Sequence, residues 1–312
     1  MFSIKEQNIE KHDMGIVLFK QVIPMEKYKD VLDFAQSLRI KALQEDFIYV
    51  KDENNRPLYA INRSGHRYSV EDVAISCNHI MDFLKEESAK QKYYDFFKMC
   101  EDALYACMLR YVEFFPMMIP CLWWRTQGHI VAYGAGAKFG IHCDNDVNYQ
   151  PGAEPDQQLA IRNVLGGLIY FNNSVDSTDK IIHNYDYVGG EIYFPYANYK
   201  YSPKSGDIIM FPSNYLATHR VLECQHGERY AYVGYFAQGS NDISRGINVR
   251  QPSETIDSGQ VWMPNIMDDY IKHLQDKGID IFLEENRYLT EAVKRPMTSH
   301  DTNKEINKSV IQ

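Results

Sequence analysis

The sequence lacks the features that would point to an exported, membrane-bound or disulfide-stabilised protein. Its six cysteines are scattered and form no Cys-x-x-Cys pair, which indicates ordinary thiols in a reducing compartment. No segment approaches the roughly 18 apolar residues that a membrane-spanning helix needs. The N-terminus has no apolar stretch suitable for a signal peptide. We therefore expect a cytoplasmic protein with no membrane partner.

Basic runs and internal repeats are also missing. The formal net charge is −9, from 42 acidic and 33 basic residues, and no cluster of lysine and arginine offers the basic patch of a nucleic-acid binder. The absence of repeats excludes a solenoid. What the chain does contain is aromatic residues, 23 Tyr and 15 Phe, which favour sheet-rich structure and aromatic-lined cavities. A small-molecule or peptide substrate is the partner that we expect, and not a nucleic acid.

Residues 1–121 are predicted to be mainly helical and to pack on a downstream core. The segment Met25–Leu43 carries apolar residues on one stripe, as an amphipathic helix does. From Asp82 to Phe115 the pattern is stronger, because apolar residues recur every three or four positions: Phe97, Cys100, Leu104, Cys107, Met108 and Tyr111. That spacing indicates a packing face, and Pro116 and Pro120 end the helical pattern.

Residues 122–240 are typical of a β-domain. Short apolar or aromatic runs alternate with clusters of Gly, Pro, Asn and Asp, which predicts a barrel or a two-sheet jelly roll. The candidate strands are His129–Tyr133, Gly167–Phe171, Gly190–Pro195, Asp207–Phe211 and Arg229–Phe236. Two long polar intervals, Asn145–Asn163 and Asn172–Val188, are predicted to cover the mouth of a pocket. Residues 241–312 are predicted to be a C-terminal extension with a helix near Met267–Lys277 and a polar tail.

The triplet His142-Cys143-Asp144 places two kinds of metal ligand on one face of an extended segment. Side chains alternate along a strand, so the imidazole and the carboxylate can reach one ion while Cys143 points away. His219 follows a candidate strand and supplies a second imidazole. Two histidines and one carboxylate leave open positions on the metal, as in non-haem iron(II) oxygenases. Catalytic zinc also takes three protein ligands, so the triad alone leaves the metal undecided.

The segment that begins at Arg229 indicates which cosubstrate the metal site uses. In a strand, Arg229 shares a mostly apolar face with Ala231, Val233 and Tyr235. A buried guanidinium needs an anion, and the distal carboxylate of 2-oxoglutarate fits its fork of donors. A structural ion pair with Glu228 or another acid is the alternative that the sequence leaves open.

Four motifs that follow one another along the chain carry a family resemblance. They are Tyr133-x-x-Gly136-x-x-Phe139-x-x-His142-x-Asp144, then Gly190-Glu191-Ile192-Tyr193-Phe194-Pro195, then Pro203-Lys204-Ser205-Gly206-Asp207-Ile208-Ile209-Met210-Phe211, and finally His219 followed by Arg229-Tyr230. In this order they resemble the double-stranded β-helix domain of the 2-oxoglutarate/iron(II)-dependent dioxygenases. The prolyl hydroxylase branch is the most similar in motif.

The resemblance implies a mainly β fold with helical flanks, in which N-terminal helices buttress a cupin-like jelly roll. It implies Fe(II) as the metal, 2-oxoglutarate and O2 as cosubstrates, and ascorbate as a candidate reductant. The iron ligands and catalytic residues implied are His142, Asp144 and His219. Arg229 would pair with the C5 carboxylate of 2-oxoglutarate, and Tyr133 and Tyr170 match family tyrosines that reach the cosubstrate.

The implied reaction is hydroxylation of an unactivated C–H bond in an amino acid, a peptidyl proline or a small metabolite, with release of succinate and CO2. Asp144 favours this outcome, because related halogenases have Gly or Ala at that position. Two alternatives stay open: a cupin-type metalloenzyme without 2-oxoglutarate, and a non-catalytic jelly roll that binds a peptide or sugar. Arg229 argues against the first, and the complete triad argues against the second.

Overall fold

A computed structural model describes much of the chain between residues 2 and 293. The described residues are 2, 4–30, 32–33, 36, 48–51, 57–61, 67–68, 72–76, 86–126, 128–145, 162–182, 185–238 and 260–293. Most of the predicted helix Met25–Leu43, most of the predicted loop Asn145–Asn163 and the polar C-terminal tail lie outside the described residues.

The described strands are numbered in chain order. They are β1 (Ile9–Lys11), β2 (Val17–Phe19), β3 (Ile48–Lys51), β4 (Pro57–Ile61), β5 (Arg67–Tyr68), β6 (Asp72–Ser76), β7 (Trp124–Thr126), β8 (His129–Tyr133), β9 (Phe139–His142), β10 (Arg162–Tyr170), β11 (Ser174–Val175), β12 (Tyr187–Gly189), β13 (Ile192–Phe194), β14 (Tyr199–Tyr201), β15 (Ile208–Pro212), β16 (His219–Val221), β17 (Cys224–His226), β18 (Arg229–Gln238) and β19 (Gln260–Trp262). All five candidate strands of the sequence analysis are confirmed: β8 has the predicted ends, and β10, β13, β15 and β18 have shifted ends.

The α-helices are α1 (Glu87–Phe114), α2 (Ile266–Asp276) and α3 (Arg287–Thr290). The first two confirm the predicted helices, and α1 ends just before Phe115 because the residue that precedes Pro116 is forced out of the helical region. Within the described ranges, no helix has both the length and the apolar character needed to cross a membrane.

The central sheet is antiparallel and has the strand order β1-β2-β15-β10-β18-β7-β19. Strand β18 is long enough to pair first with β8 and then with β7, and β6 continues the sheet beyond β8. The middle strands are buried on both faces, which explains the unbroken apolar run from Ile208 to Phe211, where all four residues have no exposed surface.

A second antiparallel sheet, with the order β14-β13-β16-β9, faces the central one. Side chains from both sheets form a shared core, including Leu168 and Tyr170 from β10, Phe211 from β15, and Ile192 and Phe194 from β13. Two facing antiparallel sheets make a jelly roll, and the described strands do not close into a barrel. The predicted fold, a double-stranded β-helix core with helical flanks, is confirmed.

Helix α1 covers the opposite face of the central sheet, and Leu104 lies at the centre of that contact. Gly167 of β10 and Gly234 of β18 are partners in the strand register. A Cβ atom added to Gly167 would lie 2.8 Å from one methyl carbon of Leu104, and one added to Gly234 would lie 2.7 Å from the other. Both distances are shorter than real contacts, so the paired glycines form the depression that holds Leu104.

The N-terminal region adds strands as well as a helix. Strand β2 pairs with β15, β1 pairs with β2, and β6 pairs with β8. The sequence pattern predicts α1 but not these strands, and β1 and β2, with three residues each, are too short to show a period. The division of the chain into regions 1–121, 122–240 and 241–312 stays a prediction.

The contact between Leu104 and the two glycines can be tested by stability measurements. We expect Gly234→Ala to destabilise the protein by about 1–3 kcal/mol through overpacking, and Leu104→Ala by about 2–5 kcal/mol through the cavity that it leaves. Because both changes act on one contact, the double variant should lose less than the sum of the two. Chemical denaturation measures all three variants.

Gly140→Ala is the control for these stability measurements, since a Cβ atom there would meet nothing within 4 Å. Strict additivity of the two single changes would contradict the proposed contact.

Candidate metal centre

Two strands of the second sheet bring the predicted metal ligands together. His142 ends β9, His219 begins β16, and the two residues are direct partners in the register. Cys143 is exposed, whereas the side chain of Asp144 is only 6% exposed. The predicted alternation, with the thiol turned away and the carboxylate turned toward the imidazoles, is confirmed.

The three side chains lie close enough to share one metal ion. His142 Nε2 is 3.2 Å from Asp144 Oδ1, and His219 Nε2 is 3.8 Å from the same oxygen. One ligand atom from each residue lies within 4.8 Å of the other two. Metal–ligand bonds of about 2 Å place neighbouring ligand atoms about 3 Å apart, so small adjustments suffice to bind an ion.

Both imidazoles are oriented as metal ligands. Nδ1 of His142 donates to the carbonyl oxygen of Gly140 over 2.7 Å, and Nδ1 of His219 donates to the carbonyl oxygen of Ala217 over 3.0 Å. Because a carbonyl can only accept, these bonds place the ring proton on Nδ1 and leave the lone pair of Nε2 for the metal. Burial lowers the pKa of His219, which favours the neutral ring that a metal requires.

Strand β10 supports Asp144 from the central sheet. The side-chain amide of Asn163 donates to the backbone carbonyl of Asp144 over 3.0 Å. A Cβ atom added to Gly166 would lie 3.1 Å from Asp144 Oδ2 and 3.3 Å from the ring of Phe211. The missing side chain of Gly166 therefore provides the space that the carboxylate occupies.

Arg229 lies between the two sheets and has no exposed surface. It begins β18, on the same face as Ala231 and Val233, as predicted. Its guanidinium carbon is 5.2 Å from the centre of the Tyr133 ring and 5.4 Å from the centre of the Tyr170 ring. The structure thus brings together Arg229 and both tyrosines that the sequence singled out.

The guanidinium has no anion among the described residues. None of its three nitrogens has a hydrogen-bond partner there, and neither does the hydroxyl of Tyr170, although the two side chains act on each other electrostatically. The carboxylate of Glu228, the alternative partner, accepts a hydrogen bond from the hydroxyl of Tyr230. Burial raises the pKa of Tyr170 to about 12, which keeps its phenol protonated as a donor.

These observations fit Fe(II) with an oxoacid dianion. Two imidazoles and one carboxylate form the donor set of a non-haem iron site. A fully buried charge without a partner is strongly destabilising, and a bound carboxylate would neutralise it. Arg229 is also one of the groups that lower the pKa of His219, after the larger effect of burial, so the guanidinium lies near the metal ligands.

Two residues beside the site were not predicted from the sequence. Tyr187 of β12 has a buried hydroxyl without a hydrogen-bond partner in the described ranges, and it acts electrostatically on Arg229. Gly166 makes room beside the metal ligands. A signal existed for each, because Gly189-Gly190 follows Tyr187 closely and Gly166-Gly167 interrupts an apolar strand. Glycines inside strands often mark a close approach of other groups.

Residues 128–237 match the family described as the 2OG-Fe(II) oxygenase superfamily. The matched segment includes all four strands of the second sheet, together with β8, β10, β15 and nearly all of β18 from the central sheet. It also includes all of the residues named above as predicted ligands. The predicted superfamily and enzyme class, a 2-oxoglutarate-dependent dioxygenase, are confirmed. Fe(II), 2-oxoglutarate and O2 are the metal and cosubstrates of this superfamily, as predicted. No curated protein sequence matches the chain.

Several solved structures are similar to the chain. The viral collagen prolyl hydroxylase of Paramecium Bursaria Chlorella virus-1 with 2OG shares 13% identity at a TM-score of 0.42, covering 73% of this chain and 98% of that one. A Pseudomonas putida prolyl-4-hydroxylase shares 14% sequence identity at a TM-score of 0.39, and the match covers 73% of this chain and 95% of that one. The third is a Trichoplax adhaerens prolyl hydroxylase in complex with a hypoxia inducible factor oxygen degradation domain peptide fragment. It shares 16% sequence identity at a TM-score of 0.43, and the match covers 76% of this chain and 89% of that one. At this level of similarity we infer no substrate from them.

The metal ligands can be tested by iron binding. We expect Asp144→Ala to lose most of its bound Fe(II), because two imidazoles alone do not complete the donor set. The matched control is Cys143→Ser, since this exposed neighbour points away from the site and its replacement should leave iron content unchanged. Metal analysis after anaerobic loading and desalting measures both. Equal iron content in the wild type and Asp144→Ala would contradict the assignment.

The space beside Asp144 gives a second test. We expect Gly166→Ala to weaken Fe(II) binding by about 10-fold or more, as changes next to a metal ligand commonly do, because the methyl group presses on Asp144 Oδ2. Anaerobic competition with a chelator measures the affinity, and thermal unfolding shows whether the fold is retained. Unchanged affinity in a folded variant would show that Gly166 does not shape the ligand.

Proposed function

We propose that the chain is an Fe(II)- and 2-oxoglutarate-dependent hydroxylase that acts on an unactivated C–H bond. The observation that carries this proposal is Arg229, a fully buried guanidinium without an anion among the described residues, beside a His-Asp-His triad. A cupin-type enzyme without an oxoacid would leave this charge unpaired, at a large free-energy cost. A binding module would need neither the charge nor the triad.

The bound iron, with 2-oxoglutarate and O2, supplies the oxidising power: one oxygen atom enters the substrate C–H bond and the other ends in succinate, with loss of CO2. The residues of the chain bind and orient these reactants. His142, Asp144 and His219 would hold the metal through two imidazole nitrogens and one carboxylate oxygen, a donor set that suits Fe(II). Arg229 holds the distal carboxylate, which fixes the direction in which the oxoacid reaches the metal.

The burial of the ligands indicates the side from which a substrate approaches. The side chain of His142 is 28% exposed, whereas that of His219 is 5% exposed. The site is therefore more open along β9. Phe139, at the start of that strand, is 43% exposed, and the centre of its ring lies 4.4 Å from that of His142 in an edge-to-face arrangement. We propose that the substrate C–H group lies against the Phe139 ring, beside His142.

The substrate is proposed to be a peptidyl proline, a free amino acid or a small metabolite, and peptidyl proline is the first to test. An exposed aromatic ring beside the metal suits the aliphatic ring of proline, and the motif likeness to prolyl hydroxylases favours the same class. The proposal includes ascorbate as the reductant that keeps the metal ferrous. It also includes a cytoplasmic location, since Cys100, Cys107, Cys121, Cys143 and Cys224 are all free thiols.

The function can be tested by 2-oxoglutarate turnover. We expect proline-containing peptides, free amino acids or small metabolites to stimulate succinate release, with a hydroxylated product whose mass increases by one oxygen atom. Arg229→Gln should raise the KM for 2-oxoglutarate about 100-fold or more, because it removes one partner of a buried charge pair. The control is Arg220→Gln, which removes an exposed guanidinium from the outer side of β16.

Iron binding without any consumption of 2-oxoglutarate would contradict the proposal and favour the cupin-type alternative. Absence of both iron and 2-oxoglutarate binding would favour the non-catalytic jelly roll.

A further inference from the structure

Tyr187 is a fully buried tyrosine whose backbone is held firmly in place. It begins β12, where it is the parallel-strand partner of Ser174, and its N–H donates to the carbonyl oxygen of Asn173 over 3.0 Å. The residue has no exposed surface, and its hydroxyl has no hydrogen-bond partner among the described residues. Buried hydroxyls are usually paired, so a missing partner needs an explanation.

The ring of Tyr187 borders the same small space as the stem of Arg229. A Cβ atom added to Gly190 would lie 2.9 Å from the Tyr187 ring and 3.1 Å from Arg229 Cδ. Gly190 also has a positive φ of 65°, which a glycine adopts without strain. The glycine therefore allows the Tyr187 ring and the stem of Arg229 to approach each other.

Electrostatics indicate the same closeness. Burial lowers the pKa of Arg229, but the surrounding phenols outweigh it and raise the pKa, Tyr187 most strongly, followed by Tyr170 and Tyr133. Burial in turn raises the pKa of Tyr187 above its ordinary value. At neutral pH the Tyr187 hydroxyl is therefore protonated and can donate a hydrogen bond.

We propose that Tyr187 is a binding residue for the distal carboxylate of 2-oxoglutarate, to which its hydroxyl donates a hydrogen bond beside Arg229 and Tyr170. This inference rests on the proposed function, since it concerns the same cosubstrate. Three unpaired buried groups, the guanidinium and the hydroxyls of Tyr170 and Tyr187, would then share one anion. Tyr187 thereby helps to select an oxoacid that has a second carboxylate.

An unpaired hydroxyl alone would not carry this proposal. Tyr270 of α2 is also fully buried with an unpaired hydroxyl in the described part of the chain, but it belongs to the core against α1 and not to the core between the sheets. What distinguishes Tyr187 is that its ring lies beside the stem of Arg229, whose guanidinium also has no hydrogen-bond partner among the described residues. Tyr270 is for this reason the matched control.

The test is equilibrium binding to the Fe(II)-loaded protein under anaerobic conditions, measured by calorimetry. The probes are 2-oxoglutarate and 2-oxopentanoate, which has the same chain length but no distal carboxylate. We expect Tyr187→Phe to weaken 2-oxoglutarate binding by about 10-fold or more, the usual effect of losing a hydrogen bond to a charged group. Its affinity for 2-oxopentanoate should match that of the wild type, and Tyr270→Phe should bind both probes as the wild type does.

Two results would overturn the inference. One is unchanged 2-oxoglutarate affinity in Tyr187→Phe, and the other is an equal loss of affinity for both probes, which would indicate a general change of the pocket. Iron content and the thermal unfolding midpoint show whether the variants are folded and loaded. Failure of the proposed function is distinguishable, because the wild type itself would then not bind 2-oxoglutarate.

Discussion

The site is organised around a buried positive charge that no described residue neutralises. Arg229 lies in the core between two sheets, where a guanidinium has lost its hydration and finds no carboxylate among the described residues. Such a charge is tolerated only if a bound anion neutralises it or if other interactions in the fold offset the free-energy cost of burying it. An acidic side chain of the protein beside the guanidinium would make the fold more stable but would occupy the place of the cosubstrate carboxylate. The arrangement therefore favours binding over stability.

The two-sheet architecture places this charge in the space between the sheets, which the predicted metal ligands also reach. Along β18, odd-numbered positions face the second sheet and even-numbered ones face helix α1, so Arg229 points into the pocket while Tyr230 and Tyr232 pack under the helix. The metal ligands reach the same space from the opposite sheet, through β9 and β16. The proposed iron site and the proposed oxoacid site thus come from different sheets that face each other.

Glycines provide the space that these contacts need. Gly166 and Gly167 are neighbours in β10 but lie on opposite faces of the strand: the first makes room for Asp144, and the second makes room for Leu104 of α1. Gly190 serves the same purpose between Tyr187 and Arg229. Each glycine marks a place where a side chain from another element approaches the backbone closely.

Much of the site was predictable from the sequence because its parts are local. Strand alternation predicts that His142 and Asp144 lie on one side of the chain and Cys143 on the other. It also predicts that Arg229 points inward, because the residues that share its face are apolar. Tyr187 was not predictable in the same way. It comes from a separate three-stranded sheet, β11-β12-β17, and meets Arg229 only through tertiary packing. The short strands β1 and β2 were missed because three residues cannot display a period.

The most direct test of the central claim is a crystal structure of the anaerobic Fe(II) protein with 2-oxoglutarate. We expect the distal carboxylate to lie against the Arg229 guanidinium, with donor–acceptor distances of about 2.7–2.9 Å, and the oxoacid end to face His142, Asp144 and His219. A cosubstrate bound elsewhere, or an Arg229 side chain paired with an acidic residue of the protein, would contradict it.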